Sequence, residues 1–274
     1  FSSGSKNRVI DLNNHIWTLT GGNTVTAFEI NHKNASLTVK NGTIISDGYL
    51  AAIPYVANDK YDNSALTFEN VQITTNGKNG IETNGMLTND TITLKNSTLN
   101  VPNGFGIYFP SSGAVTIEDS TITAKTMGVQ VCAGNLNVKN STITVTGSAV
   151  SKTENDGAIE DGAAISVVDR AGYKGLGKVN VESGKFTSIK AYKWDSSTKV
   201  ETAFDNSKNV VIVSGGLFSK EFDKSFCATG LTVIDNTDES TKTEYPKTVG
   251  IIEVKGENEI KTDTQKGATQ ATLG

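Results

Sequence analysis

The chain has 274 residues, of which 36% are apolar and 20% are charged, and its formal charge at pH 7 is −4. This length allows one large domain or two smaller ones, and the acidic balance argues against a general attraction to nucleic acid or to anionic membranes. No run of residues approaches the roughly 20 apolar positions of a membrane-spanning helix. Arg8 and Arg170 are its two arginines, which leaves little for bidentate recognition of phosphate.

The first predicted strands lie in the sequence IDLNNHIW, which begins at Ile10. The same alternation of apolar residues around a polar break recurs in LTVKNGTI from Leu37, LTFENVQI from Leu66, ITLKNSTL from Ile92, VTIEDSTI from Val115 and LNVKNSTI from Leu136. Apolar side chains on every second residue are typical of strands with one buried face. Because these strands return at intervals of 21 to 29 residues, they predict a solenoid.

The polar break within each copy predicts a bend between two short strands. Asn and Asp tolerate left-handed backbone conformations and bond to neighbouring amides. In a stack of such units, the polar side chains lie above one another and form a hydrogen-bonded ladder. The predicted ladder consists of Asn14, Asn41, Asn70, Asn96, Asp119 and Asn140.

A second recurring piece lies between the copies and supplies a third strand to each unit. It reads GIETNG from Gly80, GIYFPSSG from Gly106 and GVQVCAGN from Gly128. Three short strands separated by turns form one coil of a parallel β-helix, whose coils stack about 4.8 Å apart. Later coils follow at VNVESGKF from Val179 and VIVSGGLF from Val211.

Two stretches exceed the length of a coil and are predicted to project from the stack as polar loops. They span residues 147–162 and 188–209. From Glu221 the repeat weakens, and we expect TVGIIEV from Thr248 to cover the last coil. The sequence thus predicts an all-β, single-stranded parallel β-helix of about seven to nine coils over residues 1–220. A C-terminal cap and extended tail would occupy residues 221–274.

The repeated octets and the opening IDLNNHIWTLTGG resemble the pectin-lyase-like superfamily of right-handed parallel β-helix proteins, over about residues 8–218. A narrower stretch, VIVSGGLFSKEFDKSFCATG from Val211, is similar to the Ser-Gly-Gly-x-Phe-Ser repeats of surface proteins of gut Firmicutes. These resemblances imply a right-handed helix displayed outside the cell, in adhesion or glycan contact. Repeats of this type also occur in phage virion proteins. Many unrelated functions share the scaffold, so the superfamily likeness implies no particular activity.

The strongest enzymatic alternative is a polysaccharide lyase, since many β-helix proteins cleave acidic glycans. A lyase of this kind needs acidic calcium ligands and a basic residue that takes the proton beside the carboxylate. Arg170 is the candidate base, and the acids near it in sequence are Asp156, Glu160, Asp161 and Asp169. A charge at the rim of a strand, beside a solvated acidic loop, explains the same residues more simply.

The histidines and cysteines supply no further candidate. His15 and His32 lie in no metal-ligand pattern. The sequence leaves open whether Cys132 and Cys227 pair, and we expect both to be small buried residues. We therefore predict no catalytic residue, no metal ion and no cofactor.

Aromatic residues at or near loops are candidates for ligand binding, since such rings stack on sugars or anchor protein interfaces. The candidates are Tyr173, Tyr192 and Trp194. Trp194 lies in the polar sequence AYKWDSS, and we expect it to be exposed.

The sequence favours a secreted, non-catalytic protein on a bacterial surface, acting in adhesion and binding a glycan or a host surface protein. It begins at Phe1 rather than Met, which fits the removal of a leader, although a trimmed chain would look the same. The first alternative is a structural module of a virion or an extracellular filament, which self-associates through its ends or its C-terminal tail. The second is the polysaccharide lyase. None of these readings predicts nucleic acid binding or membrane insertion.

Overall fold

The computed structural model describes residues 1–2, 7–22, 25–56, 61–255 and 259–263, and these form an all-β protein. The strands belong to two sheets, one of 17 strands and one of eight. Within the described ranges, the one helical element is a 3₁₀ turn at Lys224–Phe226. The many β-branched residues and the Asn and Gly turns favour this outcome, because they suit strands and tight bends better than helices.

The strands are short except for β4, β6 and β24, and β4 and β6 each run through a whole octet. The first part of the chain contains β1 (Arg8–Asp11), β2 (Ile16–Leu19), β3 (Thr26–Glu29), β4 (Ser36–Ser46), β5 (Tyr49–Ala52), β6 (Ala65–Thr75), β7 (Asn79–Glu82) and β8 (Asp90–Lys95). The middle contains β9 (Thr98–Val101), β10 (Phe105–Phe109), β11 (Gly113–Glu118), β12 (Thr121–Ala124), β13 (Met127–Val131), β14 (Gly134–Lys139), β15 (Ser141–Val145) and β16 (Ile165–Arg170). The last part contains β17 (Leu176–Val181), β18 (Gly184–Phe186), β19 (Ile189–Asp195), β20 (Val200–Ala203), β21 (Val211–Val213), β22 (Leu217–Phe218), β23 (Leu231–Asp235), β24 (Lys247–Lys255) and β25 (Glu259–Asp263).

Most of the pairing is parallel and joins equivalent strands of successive units. β8, β11 and β14 lie side by side, with Ile92, Val115 and Leu136 in one row. β9, β12 and β15 pair in the same way within the same sheet. β10 and β13 belong to the eight-stranded sheet, where Ile107 lies opposite Val129. Each of these units thus gives two strands to the larger sheet and one to the smaller.

The inward rows of apolar side chains form one continuous core that includes residues of both sheets. Its largest fully buried side chains include Phe28, Phe68, Phe186 and Phe218. The rings of Phe186 and Phe218 lie 5.3 Å apart, and Phe28 meets Phe68 edge to face at 6.0 Å. Truncating one such ring in a core costs roughly 3–5 kcal/mol, so these rows supply much of what holds the sheets together.

The backbone at the predicted ladder positions is left-handed. The φ angles are 62° at Asn14, 57° at Asn41, 55° at Asn70, 46° at Asn96, 49° at Asp119 and 46° at Asn140. Only Gly, Asn and Asp visit this region routinely. At Asn41 and Asn70 the strand assignment continues through the bend, in β4 and β6, whereas the later units divide into two strands.

Side-chain amides connect several of these positions. Asn70 Nδ2 donates to Asn41 Oδ1 at 3.3 Å, Asn96 Nδ2 to Asn70 Oδ1 at 2.6 Å, and Asn140 Nδ2 to Asp119 Oδ1 at 2.6 Å. At the N-terminal end, Asn41 Nδ2 donates to Asp11 Oδ1 at 3.2 Å, while Asn14 meets Asn41 through a backbone bond. Asp11 therefore takes the side-chain place that the sequence assigns to Asn14.

A second asparagine ladder, which was not predicted, lies at another bend of the units. Asn63 Nδ2 donates to Asn34 Oδ1 and Asn89 Nδ2 to Asn63 Oδ1, both at 3.1 Å. All three residues have φ between 56° and 59°. Each precedes the start of an octet by three residues, and this constant spacing is the signal that would have revealed the ladder.

The outer face of the larger sheet carries a row of side chains whose charge alternates from strand to strand. Their positions are in register across six neighbouring strands. The row reads Asp11, Lys40, Glu69, Lys95, Glu118 and Lys139. Lys40 Nζ lies 3.4 Å from Asp11 Oδ2, and opposite charges directly across neighbouring strands favour the observed register. We refer to these six residues as the charge row.

Each long insertion is folded onto the sheet over part of its length. Residues 147–162 contain no strand, but Ile159 and Asp161 within them are buried. Of residues 188–209, β19 is a strand of the eight-stranded sheet in parallel register with β16, and β20 folds back on it in antiparallel register. The prediction of two solvated projections is therefore wrong for residues 157–162 and for β19, which bury apolar or aromatic side chains, whereas residues 147–156 and β20 are mostly exposed.

Antiparallel strands follow the parallel stack at the C-terminal end. β24 pairs with β22 and β23, and then with β25. Phe222, Phe226 and Val249 bury their side chains in the main core beside the last parallel strands. The division into residues 1–220 and 221–274 stays a prediction, and the tail residues 264–274 lie outside the described ranges.

Candidate ligand-binding site

The insertion at residues 147–162, here called the covering segment, folds onto the outer surface of the eight-stranded sheet. Side chains alternate along β13, β16 and β19, and every second one points away from the main core. The outward side chains that the segment covers or adjoins are Gln130, Ser166, Val168, Arg170, Tyr192 and Trp194. We call this surface the covered face.

Ile159 is the apolar anchor of the covering segment. Its side chain is buried in a second cluster, separate from the main core, which also contains Phe105, Met127, Val168 and Trp194. Burying one Ile side chain contributes about 1.5–3 kcal/mol. The apolar contact that attaches the segment therefore contributes only a small stabilising free energy.

Gln130 binds both backbone polar groups of Ile159. Its Nε2 donates to the Ile159 carbonyl at 2.7 Å, and its Oε1 accepts from the Ile159 N–H at 2.9 Å. Nε2 also donates to Ser166 Oγ at 2.9 Å. Because Gln130 is fully buried, each of these bonds satisfies a group that has no access to water.

Asp161 fixes the far end of the segment. Its carboxylate accepts from Ser166 Oγ at 2.6 Å, from Tyr192 OH at 2.9 Å and from the Ala163 N–H at 2.9 Å. Burial raises the pKa of Tyr192, and the adjacent Asp161 raises it further. Tyr192 is therefore a permanent donor to the carboxylate at physiological pH.

Arg170 is buried and binds the covering segment through neutral oxygens. It is 4% exposed. Its Nε donates to Ser196 Oγ at 2.9 Å, one terminal nitrogen donates to the Gly157 carbonyl at 2.8 Å, and the other to the Asn155 carbonyl. The guanidinium also lies over the Tyr173 ring, 5.2 Å from its centroid. No ion pair found within the described ranges includes Arg170.

Tyr173 forms the rim of the site. Its hydroxyl lies 3.0 Å from that of Tyr108 and donates to Asp156 Oδ1 at 3.2 Å. Its ring packs on Gly85, where a Cβ would come within 2.2 Å of the Tyr173 Cε1. Burial raises the pKa of Tyr173, although the residue is less covered than Tyr192.

The structure brings the three predicted ligand-binding aromatics to one place but does not expose Trp194. That residue is 7% exposed, and Tyr192 is also buried. The expectation of an exposed Trp194 is wrong because its neighbours in sequence are polar, whereas its neighbours in space are an apolar cluster and Arg170. Ligand binding by Tyr173, Tyr192 and Trp194 stays a prediction. Gln130 and Ser166 were missed, since nothing in their local sequence marks them.

The arrangement around Arg170 differs from the one that a lyase would require. Its guanidinium is enclosed by the covering segment, so the interpretation as a solvated charge at a strand rim is also wrong. The nearby acid Asp169 lies 4.0 Å from Lys193, on the opposite side of the strand from Arg170. As found, Arg170 positions a loop.

Other chemistry-bearing groups are scattered. The described part of the chain contains no group of three or more His, Cys, Asp or Glu residues placed to hold a metal ion. Cys132 is buried and unpaired, and burial raises its pKa to about 12, while Cys227 is half-buried and unpaired. In the described ranges we find no helix with the length and apolar content needed to cross a membrane.

Comparison with known proteins finds no relative of this chain. No protein-family model, no curated protein and no solved structure matches it.

Proposed function

We propose that this chain is a non-catalytic right-handed parallel β-helix, displayed outside a bacterial cell, which acts in adhesion by binding a glycan or a host surface protein. The observation that carries the proposal is the covered face. There Arg170, Tyr173, Tyr192 and Trp194 gather around a segment that does not belong to the repeat.

The pairing pattern supports the helical part of the proposal. Strands of one unit pair in parallel with their equivalents in the next unit in both sheets. Connections between neighbouring parallel strands of one sheet are right-handed in nearly all proteins. A chain with this strand order and these short turns is accommodated by a single right-handed coil.

The chemistry of the covered face favours binding over catalysis. Three of its buried polar side chains, Gln130, Ser166 and Arg170, are engaged in holding the covering segment. At the rim, Tyr173 presents part of a ring beside the exposed polar residues Asn155 and Asp156. Aromatic rings flanked by amide and carboxylate groups are typical of carbohydrate and protein contacts.

The test is binding of the whole chain to an array of glycans and host surface proteins. We expect Tyr173→Ala to weaken binding to any retained ligand by at least about tenfold, as for an aromatic anchor. Tyr55 is a half-buried tyrosine in the N-terminal part of the chain, so Tyr55→Ala is the matched control and should bind like the wild type. Absence of any ligand for the wild type, or equal loss in both variants, would count against an adhesive role for this face.

A structural module that assembles through its tail is the second candidate, and the β24–β25 hairpin favours it. These strands continue the larger sheet in antiparallel register beyond the parallel stack. A strand at the edge of a sheet can pair with another chain through its free backbone groups.

A further inference from the structure

The covering segment is held in the way that proteins hold a bound peptide. Gln130 binds the N–H and the carbonyl of Ile159 with the two ends of its amide, Arg170 binds two carbonyls, and the Ile159 side chain fills an apolar pocket. Backbone hydrogen bonds combined with one or two side-chain pockets are the usual basis of extended-peptide recognition. The covered face therefore has the features of a peptide site that the chain fills with its own residues.

The segment leaves Arg170 without a carboxylate. The guanidinium is almost wholly buried, and the oxygens that it reaches belong to two backbone carbonyls and to Ser196. The nearby acids are engaged elsewhere, since Glu160 accepts from Thr126 and Asp156 accepts from Tyr173. A carboxylate would bind this planar donor pair more strongly than neutral carbonyls do.

An independent observation points to the same place. The indole Nε1 of Trp194 is buried and has no hydrogen-bond partner among the described residues. Trp194 lies directly opposite Arg170 in the β16–β19 register, so both side chains emerge on the covered face as neighbours. Buried donors normally find acceptors, and the covering segment supplies none to this one.

The apolar part of the segment's attachment is small. From Gly147 to Asp156, nearly all its residues are exposed, and only Ile159 and Asp161 are buried. Gly157 and Gly162 have φ angles of 78° and 77°, in the left-handed region that Gly, Asn and Asp adopt routinely. A segment with few buried apolar contacts opens at a lower free energy than the sheet beneath it.

We propose that the covered face binds an acidic extended peptide of a partner protein and that residues 155–161 occupy this site in its absence. The peptide places an apolar side chain where Ile159 lies and a carboxylate two or four residues earlier, at the place of Gly157 or Asn155, whose carbonyls now bind Arg170. An oxygen of the same ligand accepts from Trp194 Nε1. The inference rests on the proposed adhesive function only for the origin of the peptide. Because its test uses a synthetic peptide, either proposal can fail without the other.

The experiment titrates the full chain with three synthetic peptides and follows its two indole N–H resonances by NMR, with Trp194→Phe to assign them. The first peptide copies residues 153–162, the second carries Gly157→Asp and the third Gly157→Asn. The tethered segment competes at an effective concentration in the millimolar range, so peptide is added to about that level. We expect the Trp194 resonance to shift, while that of Trp17 stays in place.

Two comparisons make the result decisive. Ile159→Ala in the protein weakens the covering segment, and the peptide concentration at half-saturation should fall about tenfold or more. The Gly157→Asp peptide should bind about tenfold more tightly than its Gly157→Asn counterpart, because the two share their other acidic residues and differ only in the charge at position 157.

Three outcomes would overturn the proposal. One is an unshifted Trp194 resonance in both the wild type and the Ile159→Ala protein. Another is equal affinity for the Asp and Asn peptides, which removes the role of the carboxylate. The third is dimerisation of the Ile159→Ala protein by exchange of covering segments, since the occupant would then be a second copy of this chain.

Discussion

Asp90 is a carboxylate that the fold keeps away from water. It is fully buried and accepts from the Ser64 N–H at 3.1 Å and from Ser111 Oγ at 2.9 Å. Burial raises its pKa from 3.8 to about 6, although both hydrogen bonds lower it. The folded state thus binds this proton more tightly than the unfolded chain. The free energy of unfolding should therefore fall as the pH rises from about 4 to 6, by about 3 kcal/mol at most.

Replacing Asp90 with Asn should remove this penalty. The Asn side chain keeps the oxygen that accepts from Ser64, and Ser111 can then accept from the new amide. We expect Asp90→Asn to raise the free energy of unfolding by about 1–3 kcal/mol at pH 8 and by much less at pH 4. Urea denaturation at both values measures the difference. Asp169→Asn, at a half-exposed acid near Lys193, is the control and should change little. A gain that is equal at both pH values would refute the assignment.

For single residues, the sequence predicts backbone conformations that depend on local chemistry. It misses the burial of a side chain by residues that are distant in the sequence. The left-handed bends at Asn41 and Asn70 follow from the tolerance of Asn for that conformation. The burial of Trp194 depends on Ile159, which lies 35 residues earlier and belongs to a segment without a repeat. The burial of Arg170 has the same cause. The residues next to Trp194 and Arg170 in the sequence do not indicate that these side chains are buried.

Among the elements, the strands of the repeat were predictable and the two insertions were not. Alternation and spacing identify β8, β11 and β14, because each repeats the pattern of the one before. β19 carries the same alternation in Tyr192 and Trp194, but polar residues around it favour a loop. The covering segment has one buried aliphatic residue, Ile159, and a single apolar position establishes no period.

Gln130 should control how firmly the covering segment is held. Gln130→Leu removes three hydrogen bonds and leaves the N–H and carbonyl of Ile159 without partners in a dry site. Such a loss costs about 1–3 kcal/mol per unsatisfied group. We expect cleavage by trypsin after Lys152 to accelerate by about tenfold or more, while the β-rich circular dichroism spectrum is retained.

Gln72→Leu provides the matched control for this experiment. Gln72 lies on β6 and is exposed, so the same substitution there should leave the cleavage rate after Lys152 unchanged. If both variants accelerate cleavage equally, Gln130 does not hold the segment. If neither does, Ile159 and Arg170 suffice.

At the scale of the whole molecule, a truncation of the C-terminal strands distinguishes the adhesive proposal from the structural one. Deleting residues 253–274 removes β25 and the end of β24, but it spares Lys247–Ile251, which pair with β22 and β23. The spectrum and the melting temperature should therefore stay close to those of the intact chain. Light scattering after size-exclusion chromatography then compares the oligomeric states.

If the protein is a structural module, deletion of residues 253–274 abolishes assembly. Removal of residues 264–274 alone leaves the β24–β25 hairpin in place and should preserve assembly. Persistent assembly after the longer deletion would exclude tail-mediated association. An intact chain that is monomeric throughout would favour the adhesive reading.

The charge row gives the stack a property that no single unit possesses. Since acid and base alternate from Asp11 to Lys139, each unit carries either an acidic or a basic residue at this position. Duplicating or losing one unit would place two like charges about 4.8 Å apart, whereas adding or removing a pair would preserve the alternation. The row therefore favours gain or loss of two units at a time between Asp11 and Lys139, by the roughly 0.2–1 kcal/mol that one cross-strand charge pair contributes.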